Sequence, residues 1–160
     1  MKHVIFTLSL LALMSCKDTK QQETSNNTDV VEDTHKPQIE ETASVYANAW
    51  TNDITLNEGQ KWTANTETNE GVERMKTTIK TQPTNTLEEY YNLAELLNKD
   101  KNYVIKNCTM KGDSHDNLHV WLLPLMDKID ALSETQTLKE ASKLKHSITE
   151  NINAYDTYFQ

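Results

Sequence analysis

Four side chains that commonly bind transition metals lie close together in this chain. The segment CTMKGDSHDNLH supplies two sulfur and two imidazole groups, at Cys108, Met110, His115 and His119. The two histidines are four residues apart, so they share one face of a helix. Gly112 predicts a chain reversal between the sulfurs and the histidines, which would bring the two groups together. The spacing therefore predicts a metal site at one end of a helical domain.

The softness of these ligands narrows the choice of metal. Thiolate and thioether sulfur favour Cu(I), and cysteine with histidine also suits Zn(II). The segment lacks the carboxylate set that calcium, magnesium or a di-iron centre would need. His115 falls on the apolar seam of the predicted helix, so we expect its face to point into the protein. The predicted site is a dry pocket in which Cys108, His115 and His119, assisted by Met110, bind copper or zinc.

The same residues allow three other interpretations. The histidines could form a structural polar cluster at a helix start, with Cys108 as a small apolar core residue. Noncovalent haem could be held by His115 or His119 with Met75, whereas covalent haem is excluded because the chain has no Cys-x-x-Cys-His. A cysteine enzyme would use Cys108 as nucleophile and Asp116 to orient a histidine. No oxyanion hole is evident for that chemistry, so we assign no catalytic residue.

Four amphipathic helices are predicted to position these residues, because apolar side chains recur at spacings of three and four. The expected N-caps are Asn65, Thr86, Asp113 or Ser114, and Thr137, and Pro83 should end the first helix. Thr86 and Thr137 are each followed three residues later by a glutamate, the capping-box pattern. The predicted core residues are Thr68, Val72, Met75 and Ile79; Leu87, Tyr90, Leu93, Ala94, Leu97, Val104, Ile105 and Cys108; Leu118, Leu122, Leu125, Ile129 and Leu132; and Ala141, Leu144, Ile148, Ile152, Tyr155 and Phe159.

Short connections between these helices predict an all-α fold, an up-down-up-down four-helix bundle. Residues 46–64 precede the helices and carry Trp50 and Trp62 without a helical period. We expect a short extended segment there that lays its aromatic side chains against the bundle. The helical domain is therefore predicted to span residues 46–160.

The amino terminus resembles a lipoprotein export signal. Lys2 precedes an apolar run from Val4 to Met14, which is too short to span a bilayer, and Leu13-Met14-Ser15-Cys16 resembles a lipobox. Residues 1–15 are thus predicted to be a signal peptide and Cys16 the lipidated residue. The polar, acidic stretch 16–45 is predicted to be a disordered linker. No aspartate directly follows Cys16, which by the same resemblance favours the outer membrane.

The charge of the chain disfavours nucleic acid as a partner. Asp and Glu number 24 against 16 Lys and Arg, which gives a net charge of −8, and such a surface repels phosphate backbones. If Cys16 carries lipid, Cys108 is the one remaining thiol. No intramolecular disulfide is then expected in an oxidising compartment.

Two motifs carry a resemblance to a known family. Leu56-Asn57-x-Gly59-x-Lys61-Trp62-x-x-Asn65 is followed by Cys108-Thr109-Met110-Lys111-Gly112-x-x-His115-Asp116-x-Leu118-His119-x-Trp121-Leu122. Together they resemble a family of small envelope proteins and lipoproteins of Gram-negative bacteria. The resemblance spans Leu56 to Gln160 and implies a helical bundle at the cell envelope, but it implies no activity.

These observations predict a lipid-anchored envelope protein that binds copper or zinc for sequestration or delivery. The membrane, through the N-terminal lipid, and a metal ion are its predicted partners. The rival hypothesis is a metal-free interaction or structural lipoprotein that engages an envelope protein or polymer. Under that rival, Trp50 and Trp62 should matter more than the histidines.

Overall fold

The computed structural model describes residues 45–160, which form four α-helices. They are α1 (Thr66–Thr81), α2 (Leu87–Asn107), α3 (Asp113–Glu134) and α4 (Leu138–Tyr158). The predicted signal peptide, the lipidated Cys16 and the linker up to residue 44 lie outside the described residues. Val45, the last residue of the predicted linker, is half-buried against the core.

The helices form the predicted four-helix bundle. Each helix packs against the next one in the chain, and α1 also packs against α4, so the four close into a ring. Apolar residues from all four helices fill the centre, and Leu93, Leu97, Leu125 and Ile148 are fully buried. The all-α prediction is therefore confirmed. Three of the predicted core residues differ, because Ile105 is 47% exposed and Leu87 and Cys108 are half-buried.

Three of the four helices begin at their predicted N-cap residues. Thr86 and Glu89 form a reciprocal capping box, whereas at Thr137 the hydroxyl accepts from the backbone N–H of Glu140 without the return bond to its own backbone. Asn65 lies at the N-cap of α1, but its side chain bonds other groups. The prediction for α3 is wrong, because Gly112, not Asp113 or Ser114, is the N-cap. Gly112 has φ of +59°, a backbone conformation that glycine adopts without a steric penalty.

Helices α1 and α2 approach closely at Gly71. A Cβ atom at this position would lie 2.4 Å from Cγ2 of Val104 and 3.2 Å from Cδ1 of Tyr103. Such distances are inside van der Waals contact, so a larger residue fits only if the Val104 side chain or α2 shifts. Gly71 thus sets how near the two helices come.

Residues 45–64, the leading segment, cover the bundle on one side. Part of this segment, Ala49–Asn52, is a 3-10 turn and differs there from the extended conformation predicted for it. The turn forms because the Thr51 and Asp53 N–H groups bond the carbonyls of Asn48 and Trp50. Trp50 and Ile54 are buried, which confirms that aromatic and aliphatic side chains here pack on the helices. Further along, Trp62 pairs in parallel with Phe159, at the end of α4.

Candidate functional site

The predicted metal ligands fall at the start of α3 and in the turn before it. His115 lies in the first turn of α3 and His119 one turn later, so their rings are neighbours on one face of the helix. Their centroids are 4.3 Å apart and the ring planes are tilted by 51°. Nδ1 of His115 is 3.9 Å from Oδ1 of Asp116. The structure thus brings the two imidazoles together, as their spacing predicted.

The two sulfur atoms are placed differently. Cys108 is the C-cap of α2, and Cys108 and Met110 are both half-buried against the hydrophobic core. Burial raises the pKa of the Tyr155 phenol, and the neighbouring Asp156 and Cys108 act in the same direction. Within residues 45–160, no three His, Cys, Asp or Glu side chains are grouped as a metal site.

The expectation of a dry pocket around the histidines is wrong. The His115 side chain is 36% exposed, and His119 is exposed. The apolar seam of α3 becomes fully buried only from Leu118 onward. His115 occupies the same seam one turn earlier and is only partly covered there. The two rings therefore form a solvent-facing pair, which we call the histidine pair.

A buried polar cluster was missed by the sequence analysis. Lys128 on α3 is 1% exposed and Asn151 on α4 is fully buried. Nζ of Lys128 donates to Oδ1 of Asn151 at 2.8 Å and also to Oδ1 of Asn48 in the leading segment. Nε1 of Trp121 donates to the Asn151 carbonyl at 2.8 Å, and Nδ2 of Asn151 donates to the Trp121 carbonyl at 3.2 Å. We call Asn48, Trp121, Lys128 and Asn151 the Lys128 cluster.

A signal for this cluster was present in the helical register. Lys128 lies three residues after Leu125 and four before Leu132, and Asn151 lies three after Ile148 and four before Tyr155. Both polar residues therefore occupy seam positions where an apolar side chain is the rule. A polar residue on the seam of each of two neighbouring helices indicates a buried pair.

Burial perturbs the titration of Lys128. Removal of the ammonium from water lowers its pKa to about 8, and the negative charge of Glu150 partly opposes that effect. Among the described residues, the hydrogen-bond partners of Nζ are two amide oxygens and include no carboxylate. The amine is therefore the most perturbed cation of the described helices, but it is closed to solvent.

The residues on which the haem hypothesis and the interaction hypothesis depend are mostly buried. Met75, the proposed haem ligand, is fully buried in the core, and Trp50 is 5% exposed. Nε1 of Trp50 donates to Asn48, and Nε1 of half-buried Trp62 donates to the carbonyl of Thr55 at 2.6 Å. The two indoles are thus used to dock the leading segment, and Trp50 offers little surface to a partner in this conformation.

Comparison of the chain with family models, with curated proteins and with solved structures finds no match. The resemblance to a family of envelope proteins therefore stays a prediction. Among residues 45–160, no helix combines the length and apolar character that crossing a membrane requires.

Proposed function

We propose that this chain is a lipid-anchored protein of the cell envelope that binds one copper or zinc ion through His115 and His119. The observation that supports this function is the contact between the two rings, with 4.3 Å between their centroids, on an exposed helix face. Neutral imidazole is a common ligand for both metals. The lipid anchor rests on the lipobox resemblance at Cys16.

The exposure of the histidine pair favours delivery over sequestration. Two imidazoles leave at least two positions of a four-coordinate ion to water or to an incoming ligand. Such an open site allows exchange, whereas tight storage needs a closed set of protein ligands. Cys108 and Met110 pack against the core, and within residues 45–160 Cys108 forms no metal-ligand cluster with the two histidines, so the histidine pair carries the proposal.

Metal titration of the purified chain tests this proposal. Replacement of Cys16 by serine leaves Cys108 as the one thiol, and Zn(II), Co(II) and Cu(I) are titrated against a competing chelator of known affinity. We expect one ion per chain, and His115→Ala or His119→Ala should each weaken binding about tenfold or more, which is at least about 1.4 kcal/mol. His146→Ala is the matched control, because His146 is an exposed histidine on α4 paired with Glu150.

The absorption spectrum of the Co(II) complex also distinguishes thiolate coordination from coordination by the histidine pair alone. Thiolate coordination gives an intense near-ultraviolet charge-transfer band, which Cys108→Ser would abolish, whereas the histidine pair alone gives weak visible bands. Met110→Leu tests the thioether with Cu(I). Equal, weak binding by the parent chain, His115→Ala, His119→Ala and His146→Ala would rule out the metal site.

A further inference from the structure

The leading segment is held on the bundle largely through the side chain of Asn48. Its Oδ1 accepts hydrogen bonds from Nε1 of Trp50 at 3.0 Å and from Nζ of Lys128. Its Nδ2 donates to Oε2 of Glu150 at 3.1 Å and to the carbonyl of Ser147 at 3.4 Å. Asn48 therefore joins the 3-10 turn to both α3 and α4, and it also covers the Lys128 amine.

We propose that Asn48 and Lys128 form a proton-linked clamp, in which docking of the leading segment favours the neutral amine of Lys128 and protonation favours release. In the docked state Lys128 is 1% exposed and its amine contacts two neutral amide oxygens. Release of Asn48 would admit water to Nζ, and water solvates an ammonium far better than two amides do. The released state therefore binds the proton more tightly.

Glu150 is the charged group that acts on this amine, and other titratable groups lie on the elements packed around it. Glu150 on α4 attracts the ammonium and bonds Asn48, and its other oxygen is 3.2 Å from Nε2 of His146. On α3, Asp127 lines a cavity of about 180 Å³ beside Trp50. In the leading segment, the ring of Tyr46 lies 5.8 Å from the Lys143 ammonium. The hydrogen-bond partners of the Lys128 amine include none of these groups.

The difference between the pKa values of Lys128 in the docked and released states gives the direction and size of the pH effect on docking. The pKa of Lys128 is about 8 when the segment is docked, and its ordinary value is 10.5. Docking therefore releases a proton between these values and tightens as the pH rises. If release restores the ordinary pKa, the docking equilibrium constant increases up to about tenfold between pH 7 and pH 9.

Thiol trapping measures this equilibrium. In the full chain with Cys16→Ser and Cys108→Ser, Ile54→Cys places a thiol at a buried position of the leading segment, and Ala94→Cys places one in α2. The rate of reaction with an aromatic disulfide is divided by the rate of a short peptide at the same pH, which cancels ionisation of the thiol. We expect the thiol of Ile54→Cys to react faster than that of Ala94→Cys at pH 7. The ratio of the Ile54→Cys rate to the peptide rate should fall up to about tenfold by pH 9.

Variants at Lys128 test whether titration of this residue causes the pH dependence of docking. Lys128→Met should remove the pH dependence of the Ile54→Cys ratio, and Lys128→Arg, which keeps its charge throughout, should remove it as well. Glu150→Gln and His146→Gln should retain the pH dependence, with a shifted midpoint for Glu150→Gln. The Cε resonance of Lys128 in the chain with native Lys128 should titrate near pH 8.

Three results would overturn the clamp. The first is an Ile54→Cys ratio that stays constant between pH 7 and pH 9, or that keeps its pH dependence in Lys128→Met. The second is equal ratios for Ile54→Cys and Ala94→Cys, since the segment would then open only when the whole domain unfolds. The third is titration of the Lys128 resonance at the ordinary lysine value. None of these measurements depends on metal binding by the histidine pair.

Discussion

Trp121 and Asn151 exchange two hydrogen bonds across the interface between α3 and α4. The Trp121 indole donates to the Asn151 carbonyl and the Asn151 amide donates to the Trp121 carbonyl, at 2.8 Å and 3.2 Å. Both residues are fully buried, and Asn151 also accepts from Lys128. This pairing fixes the register of the two helices, because sliding either one would leave several buried polar groups without partners.

Asn151→Ala is expected to destabilise the domain by about 3 kcal/mol, because it removes one of the two acceptors of a buried ammonium and one bond to Trp121. Chemical denaturation at pH 7 measures the change in unfolding free energy. Asn153→Ala is the matched control on the exposed face of α4 and should change it by less than about 0.5 kcal/mol. A loss at Asn151 no greater than at Asn153 would contradict the role of the buried bonds.

Stability should depend on pH in a bell-shaped manner in the alkaline range. The lowered pKa of Lys128 means that the unfolded chain binds more protons between pH 8 and 10.5, so the unfolding free energy rises with pH there, by up to about 3 kcal/mol. Burial raises the pKa of Tyr155 above its ordinary 10.0, so the unfolded phenol ionises first and stability falls above pH 10. Urea denaturation at several pH values measures the profile. Lys128→Met should abolish the rise, and Tyr155→Phe should reduce the fall.

Gly71→Ala should destabilise the domain by about 1–3 kcal/mol, although alanine is the better helix former by about 1 kcal/mol. The new methyl group would overlap Cγ2 of Val104 at 2.4 Å and force α2 away from α1. A double-mutant cycle with Val104→Ala, read by thermal and chemical denaturation, tests this contact. Gly71→Ala should cost less in the Val104→Ala background, and an equal cost in both backgrounds would place the strain elsewhere.

Thr86→Ala should cost about 1 kcal/mol, because the hydroxyl caps the N–H of Glu89 at the start of α2. The Glu89 carboxylate returns a bond to the Thr86 N–H, so Glu89→Ala should cost a similar amount and the two losses should not add. Thr137→Ala provides the comparison at a start without the return bond. Denaturation of the single and double variants measures the coupling, and strict additivity at Thr86 and Glu89 would contradict the reciprocal box.

The helices and their order follow from local signals in the amino-acid sequence. Apolar spacing of three and four, the Thr86 box and the short connections required antiparallel neighbours, because these signals are local and the loops are too short for another topology. Spacing also determined that His115 and His119 share a face. It missed Gly112 as the cap of α3, since a glycine cap acts through its backbone conformation and carries no side-chain signal.

The surroundings of those residues depend on tertiary packing, which local sequence patterns do not specify. Whether His115 is covered depends on how far the neighbouring helices extend past the start of α3, and the helical period carries no information about that distance. Likewise, Lys128 and Asn151 are 23 residues apart, and Asn48 lies 80 residues before Lys128. Their contact depends on how two helices and the leading segment pack together, because hydrogen bonds between distant residues form only once the core has placed them side by side.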